Sequence, residues 1–136
     1  MRLISAIVTA LLLSGTVSAQ APAFKRTVLQ TGDLSMAGRE AVTAVAELQP
    51  KGSPGRHTHP GEEIGYVIEG TVLIEQEGKP SVTLTAGRTF LIPAGTIHNA
   101  TNTGSGVARI LATYIVEKGK PLATPAPAKP FLMREE

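Results

Sequence analysis

The chain has 136 residues, no cysteine and no tryptophan, and a formal net charge of +2 from 13 basic and 11 acidic side chains. Its length suits one domain. Without cysteine it has no disulfide framework, no thiolate metal ligand and no cysteine nucleophile, so apolar burial must stabilise the fold. The nearly balanced charge argues against a nucleic-acid-binding or membrane-surface protein.

The first 19 residues predict a signal peptide. A short basic start, Met1-Arg2, precedes a mostly apolar run over residues 3–13, and Val17-Ser18-Ala19 places small residues before Gln20. The run is shorter than the about 20 residues of a spanning helix, so a retained membrane anchor is the lesser alternative. We expect an exported, periplasmic or secreted protein that begins at Gln20 and has no membrane association after cleavage.

Residues 20–120 predict an all-β domain. Runs rich in Val, Ile, Leu and Thr alternate with glycine and proline at intervals of about eight to twelve residues, which is typical of a sandwich or barrel. Residues 41–48 would also suit a helix, but the alternation around Val42 and Val45 favours a strand. In chain order, the predicted strands are 25–31, 41–48, 55–59, 63–69, 71–76, 81–85, 89–92, 98–102 and 107–116.

Residues 121–136 form a tail that is rich in proline and alanine up to Pro130. Proline cannot donate a hydrogen bond within a central strand, so we expect this tail to be extended or disordered. Docking of residues 131–133 on the body is the alternative to a frayed end.

All three histidines of the chain lie near one another in the predicted strand pattern. His57 and His59 point to the same side of a strand, and the same count places Glu63 on that side and Glu62 on the other. Pro60-Gly61 can shift this register, so Glu62 stays a second candidate. With His98 from a neighbouring strand, three imidazoles and a carboxylate form a complete ligand set for a divalent transition metal.

Turn residues surround His98 and the first histidine pair. Pro93-Ala94-Gly95 predicts a tight turn before His98, and Asn102 is expected to end that strand through a local side-chain hydrogen bond. Gly70 and Gly87 are predicted to serve as turn residues.

Residues 57–70 form a first motif around His57 and His59, and residues 87–102 form a second motif around His98. The two motifs resemble those of the cupin superfamily, in particular its single-domain cupin 2 type. The residues that match are His57, His59, Glu63 and Gly70 in the first motif, and Gly87, Pro93, Gly95, His98 and Asn102 in the second. One position departs from the pattern: the leading glycine of the first motif would fall at Lys51, whereas this chain has Gly52. We expect this to alter the loop and not the ligands.

The resemblance implies a small jelly-roll β-barrel of two antiparallel sheets. A metal inside the barrel would be held by His57, His59, Glu63 and His98, with one or two coordination positions open. Copper, iron, nickel, manganese or zinc would suit this set, and folding outside the cytosol would favour copper, nickel or zinc. Related single-domain proteins commonly pair through an edge sheet, so a homodimer is expected.

The open metal positions favour a metal-dependent enzyme of the dioxygenase type that acts on a small organic substrate. A non-redox isomerase, lyase or decarboxylase, or a non-catalytic metal-containing protein that binds a small ligand, are the alternatives. Tyr66, Arg109 and Phe90 are weak candidates for the cavity, for which sheet packing or surface exposure is the favoured interpretation. Because no histidine is spare, acid–base chemistry would need Glu62, Tyr66 or an unbound Glu63.

Overall fold

The computed structural model describes residue 20 and residues 22–127 of the chain. The predicted signal peptide and residues 128–136 lie outside the described residues. The ten strands are β1 Phe24–Asp33, β2 Arg39–Leu48, β3 His57–Thr58, β4 Gly61–Glu69, β5 Thr71–Gln76, β6 Val82–Thr85, β7 Thr89–Ile92, β8 His98–Asn102, β9 Ala108–Glu117 and β10 Thr124–Pro125.

The strands form two five-stranded antiparallel sheets that face each other. The first has the order β1-β2-β9-β4-β7 and the second β10-β3-β8-β5-β6. This confirms the predicted all-β jelly-roll fold and excludes the helical alternative for residues 41–48. Within the described residues, no helix has the length and apolarity required to cross a membrane.

The core lies between the sheets because side chains alternate between the two faces of each strand. On β2 and β9, every second residue is buried, and the two strands pair along their full length. The buried apolar residues are Val42, Ala44, Ala46, Leu48, Val67, Val72, Ile74, Ile92, Ala108, Ile110, Ala112, Tyr114 and Val116. This apolar layer also surrounds the histidine motifs.

The chain changes sheets between the two histidines and the carboxylate. His57 lies on β3 of the second sheet, paired with His98 of β8, whereas Glu63 lies on β4 of the first sheet, paired with Tyr114 of β9. Pro60 lies at the crossing between β3 and β4. Residues from opposite sheets therefore meet in the interior.

Residues 121–127 are extended, which is one of the two states expected for the tail, and they lie against the barrel. Thr124 pairs with Thr58, Pro125 pairs with His57, and the backbone N–H of Ala126 donates to the carbonyl of Arg56 at 2.9 Å. Proline is tolerated here because β10 is an edge strand, where a missing donor costs no ladder bond. The ordered body thus extends past residue 120.

The loop before the first histidine accommodates Lys51 at the position where the first motif has a glycine. Lys51 itself takes the left-handed conformation, with φ of 65°. Its N–H donates to the carbonyl of Asn102 at 2.9 Å, and the N–H of Asn102 donates to the carbonyl of Gly52 at 3.0 Å. A Cβ atom on Gly52 would lie 2.1 Å from the carbonyl oxygen of Ala23, so this position needs glycine for close backbone packing.

Candidate metal centre

Four side chains converge in the interior, as the sequence predicted. His57, His59, Glu63 and His98 are 7%, 3%, 7% and 5% exposed. Each offers one ligand atom, and these four atoms all lie within 4.8 Å of one another. Neighbouring strands of the second sheet supply His57 and His98, and the first sheet supplies Glu63. The two sheets therefore close around the cluster.

Each histidine is oriented by a hydrogen bond from its Nδ1 atom to a backbone carbonyl. His57 donates to Gly55 at 2.6 Å, His98 to Thr96 at 2.8 Å, and His59 to Leu122 at 2.6 Å. A carbonyl oxygen only accepts, so each Nδ1 carries a proton. In the neutral imidazole, the Nε2 atom then presents its lone pair, and this is the tautomer that a metal ligand requires.

The Nε2 atoms face the carboxylate of Glu63. Its Oε2 atom lies 3.1 Å from Nε2 of His59 and 3.0 Å from Nε2 of His98. The Nε2 atom of His59 is buried and has no hydrogen bond of acceptable geometry. Nitrogen lone pairs that face an ionised carboxylate in a buried place repel it unless a cation, either a metal ion or a proton on Nε2, lies between them. The donor set and this orphaned nitrogen fit a divalent transition metal.

Ionisation of the cluster also suits cation binding. Burial lowers the pKa of His57 to about 4, outweighing the hydrogen bond to Gly55, so this imidazole is neutral at physiological pH. Burial acts to raise the pKa of Glu63, but without a metal the contacts with the His59 and His98 rings outweigh burial and lower that pKa to about 2. The carboxylate is therefore ionised at neutral pH.

The carboxylate in the cluster is Glu63, and Glu62 lies on the outer face of β4. The sequence argument carried the side-chain count from His57 and His59 across Pro60-Gly61 to Glu63. In the structure, the chain crosses to the other sheet at Pro60 and still brings Glu63 inward. Parity within β4 alone, where Gly61, Glu63 and Val67 are buried, gives the same result.

A small cavity of about 30 Å³ adjoins the cluster, which is room for two or three water-sized groups. His57, Glu63 and His98 line it. Its other lining residues are Phe24, Arg26, Ala46, Leu48, Pro54, Ile74, Phe90, Asn99, Ala100, Ile110 and Tyr114. Most of these are apolar, so the cavity disfavours bulk water and charged groups without a partner.

Two ionisable residues of this cavity, Tyr114 and Arg26, were missed from the sequence. The Tyr114 ring is 1% exposed, and its centroid lies 4.6 Å from that of His59. Burial, with the neighbouring charge of Glu63, raises the pKa of Tyr114 to about 12. Tyr114 lies on the same face of β9 as Ala112 and Val116, so side-chain alternation could have predicted that it points inward. For Arg26, on the edge strand β1, the sequence offered no such alternation that would predict an inward side chain.

The structure places the three weak cavity candidates from the sequence in different environments. Tyr66 is 46% exposed on the outer face of β4. Arg109 is also exposed and forms ion pairs with Glu47 and Glu69. Phe90 lines the cavity and packs over Gly65, where a Cβ atom would lie 2.1 Å from the Phe90 ring. Of the three, only Phe90 contributes to the candidate site.

Comparison with known proteins gives both sequence and structural relatives. The HTH-type transcriptional regulator PuuR of Escherichia coli is 37% identical over 67 residues, which is 48% of this chain and 36% of the regulator. The chain thus matches little more than a third of that relative's length. The same values hold for PuuR of Shigella flexneri.

Two solved structures are similar at TM-scores of 0.63. A recombinant oxalate oxidase in complex with glycolate is 24% identical, covering 78% of this chain and 56% of that one. A double-stranded β-helix protein from Klebsiella pneumoniae is 21% identical, covering 79% of this chain and 90% of that one. These likenesses concern the fold. The family model described as Cupin domain matches residues 44–114, so the chain belongs to the cupin family.

Proposed function

We propose that this cupin is a metal-dependent enzyme that acts on a small organic substrate. The observation that carries the proposal is the convergence of three oriented Nε2 lone pairs and one ionised carboxylate beside a cavity. His57, His59, Glu63 and His98 would hold one copper, iron, nickel, manganese or zinc ion. Four protein ligands leave one or two positions open on a five- or six-coordinate ion, as catalysis requires.

When bound, the ion would stabilise developing negative charge as a Lewis acid and, if redox-active, support oxidase or dioxygenase chemistry. The protein's own residues control the environment of the reacting groups. The apolar walls exclude bulk water from the reacting groups. The Tyr114 hydroxyl stays protonated near neutral pH and can donate a hydrogen bond. A redox-active ion would favour oxidative chemistry, whereas zinc would favour an isomerase, lyase or decarboxylase.

A non-catalytic ligand-binding protein is the second candidate. Among the described cavity residues outside the four-residue cluster, the ionisable side chains are Arg26 and Tyr114, and neither is a base at neutral pH. An enzyme that needs proton abstraction would therefore depend on Glu63. The sequence match with a transcriptional regulator also supports a binding role.

We also propose export and dimerisation. The export proposal rests on the signal-peptide pattern of residues 1–19. The dimer proposal rests on exposed apolar residues that lie together on the outer face of adjacent strands, namely Ile64, Tyr66 and Ile68 of β4 and Leu91 of β7. N-terminal sequencing of the protein purified after export should give Gln20, and analytical ultracentrifugation should give two chains per particle.

Elemental analysis with a matched pair of variants tests the metal-dependent function. We expect one transition metal per chain in the wild type and in Glu62→Gln, and loss of metal in Glu63→Gln and His98→Ala. Oxygen uptake or substrate loss is then measured with small hydroxy acids and enolisable compounds. Equal metal in the two glutamate variants would contradict the site. Bound metal with ligand binding but no turnover would favour the second candidate.

A further inference from the structure

Arg26 brings a positive charge to the cavity from the edge strand β1. Its side chain is half-buried and lines the same cavity as the four-residue cluster. Its guanidinium carbon lies 5.2 Å from the Phe24 ring centroid and 5.4 Å from that of Tyr114, and its Nε–H donates to the Tyr114 hydroxyl at 3.2 Å. Two aromatic rings and one hydrogen bond therefore fix its orientation.

The terminal nitrogens of Arg26 have no hydrogen-bond or ion-pair partner within the described part of the chain. In contrast, Arg39, Arg56 and Arg109 each pair with a carboxylate. A guanidinium group presents its N–H donors as a planar fork that matches the two oxygens of a carboxylate. The group is thus oriented at one end and available for an anion at the other.

An anion that enters the cavity would find this guanidinium free of other anionic partners in the described residues. Glu63 does not serve as that anion, because Arg26 makes no ion pair with it and its Oε2 atom is engaged by His59 and His98. The Tyr114 hydroxyl accepts from Arg26 and lies beside Glu63, so it holds the guanidinium in place at the edge of the cluster. The cavity of about 30 Å³ has room for two or three water-sized groups, which favours a small anion.

We propose that Arg26 and Tyr114 form an anion-binding subsite that makes small carboxylates, of about two or three carbon atoms, the preferred substrate class. This rests on the proposed metal-dependent function, since it assigns the substrate of that same cavity. Arg26 is then a specificity-determining residue. Its carboxylate partner would be held beside the four-residue cluster with the reactive carbon inside the apolar walls.

Titration calorimetry with acetate, glycolate and the neutral isostere acetamide tests the proposal. It uses the wild type, Arg26→Gln, Arg26→Lys and the control Lys25→Gln, an exposed cation on the same strand. We expect Arg26→Gln to weaken acetate and glycolate binding at least about 10-fold, with a smaller loss in Arg26→Lys and none in Lys25→Gln. Acetamide binding should not depend on residue 26.

The titrations are made on both metal-free and zinc-loaded protein, and each preparation is checked for zinc content and melting temperature. Because the chain has no tryptophan, the tyrosine fluorescence of a Tyr66→Phe background reports Tyr114 alone and provides an independent readout. Carboxylate binding that is unchanged in Arg26→Gln would overturn the subsite, whatever the metal content. Arg26-dependent carboxylate binding in a wild type that takes up no metal even when zinc is supplied would support the subsite and contradict the metal-dependent function.

Discussion

The Nδ1 atom of His59 donates a 2.6 Å hydrogen bond to the backbone carbonyl of Leu122, a residue 63 positions later in the chain. His57 and His98 instead bond carbonyls only two residues before them. One of the three imidazoles is therefore oriented by the segment that follows the last long strand. Partners of this kind tune the affinity of the ligands that they orient.

Removal of that segment should weaken metal binding. A chain that ends at residue 120 loses the Leu122 carbonyl and β10, so we expect its metal affinity to fall by about 10- to 100-fold. A chain that ends at residue 127 keeps both and should bind like the full-length protein. Competition with a chromophoric chelator measures the two affinities, after circular dichroism has shown that both chains are folded.

Leu122→Ala separates orientation of His59 from packing. Leu122 also packs against the core, but this variant keeps the backbone carbonyl. We expect a lower melting temperature with nearly normal metal affinity. If Leu122→Ala loses as much affinity as the chain ending at residue 120, packing and not the hydrogen bond to His59 accounts for the effect.

Metal removal should destabilise the fold, because the ion binds the folded chain and pairs the buried charge of Glu63. At free metal 100-fold above the dissociation constant, binding contributes about 2.7 kcal/mol to the free energy of unfolding. For a domain of this size, this corresponds to a fall of roughly 10 °C in melting temperature after chelation. Differential scanning calorimetry with and without chelator measures it.

Glu63→Gln provides the control for metal removal. It lacks the buried carboxylate, so its melting temperature should be the same with and without chelator, while Glu62→Gln should behave like the wild type. A chelator effect of equal size in both variants would mean that the metal is bound elsewhere.

Asn102 is a structural centre of the second motif. It is 1% exposed, and its Nδ2 atom donates to the carbonyls of Leu48 at 2.8 Å and Gly106 at 2.7 Å, while its Oδ1 atom accepts from Gly104 at 2.9 Å. Asn102→Ala leaves these backbone groups unpaired, so the free energy of unfolding should fall by about 2–4 kcal/mol. Urea denaturation measures this fall.

Asn99→Ala is the matched control for Asn102. Asn99 is half-buried and accepts one side-chain hydrogen bond, from Ser53 at 2.8 Å. Its removal should cost about 1 kcal/mol. Equal losses for the two asparagine variants would refute the central role of Asn102.

The sequence predicted the parts of this structure that depend on local pattern. Side-chain alternation and turn residues predicted nine of the ten strands in the described part of the chain, and parity favoured Glu63 over Glu62. Strand β10 was not predicted because its pairing with His57 depends on contacts between distant residues. Asn102 was expected to make a local bond, and its bond to Leu48 is likewise long-range. The subsite at Arg26 was hidden because alternation on β1 does not reveal which face meets the core.

Lys51→Gly should stabilise the protein, because Lys51 adopts a left-handed conformation that costs an L-residue about 1–2 kcal/mol. Glycine removes this cost but loses more backbone entropy on folding, by about 0.5–1 kcal/mol. The net gain should be near 0.5–1 kcal/mol in the free energy of unfolding. Lys79→Gly, at a turn residue without positive φ, is the control and should be slightly destabilising. Urea denaturation of the metal-free variants measures both changes in the free energy of unfolding. Equal destabilisation by both changes would show that Lys51 is not strained, and that the departure from the first motif carries no energetic cost.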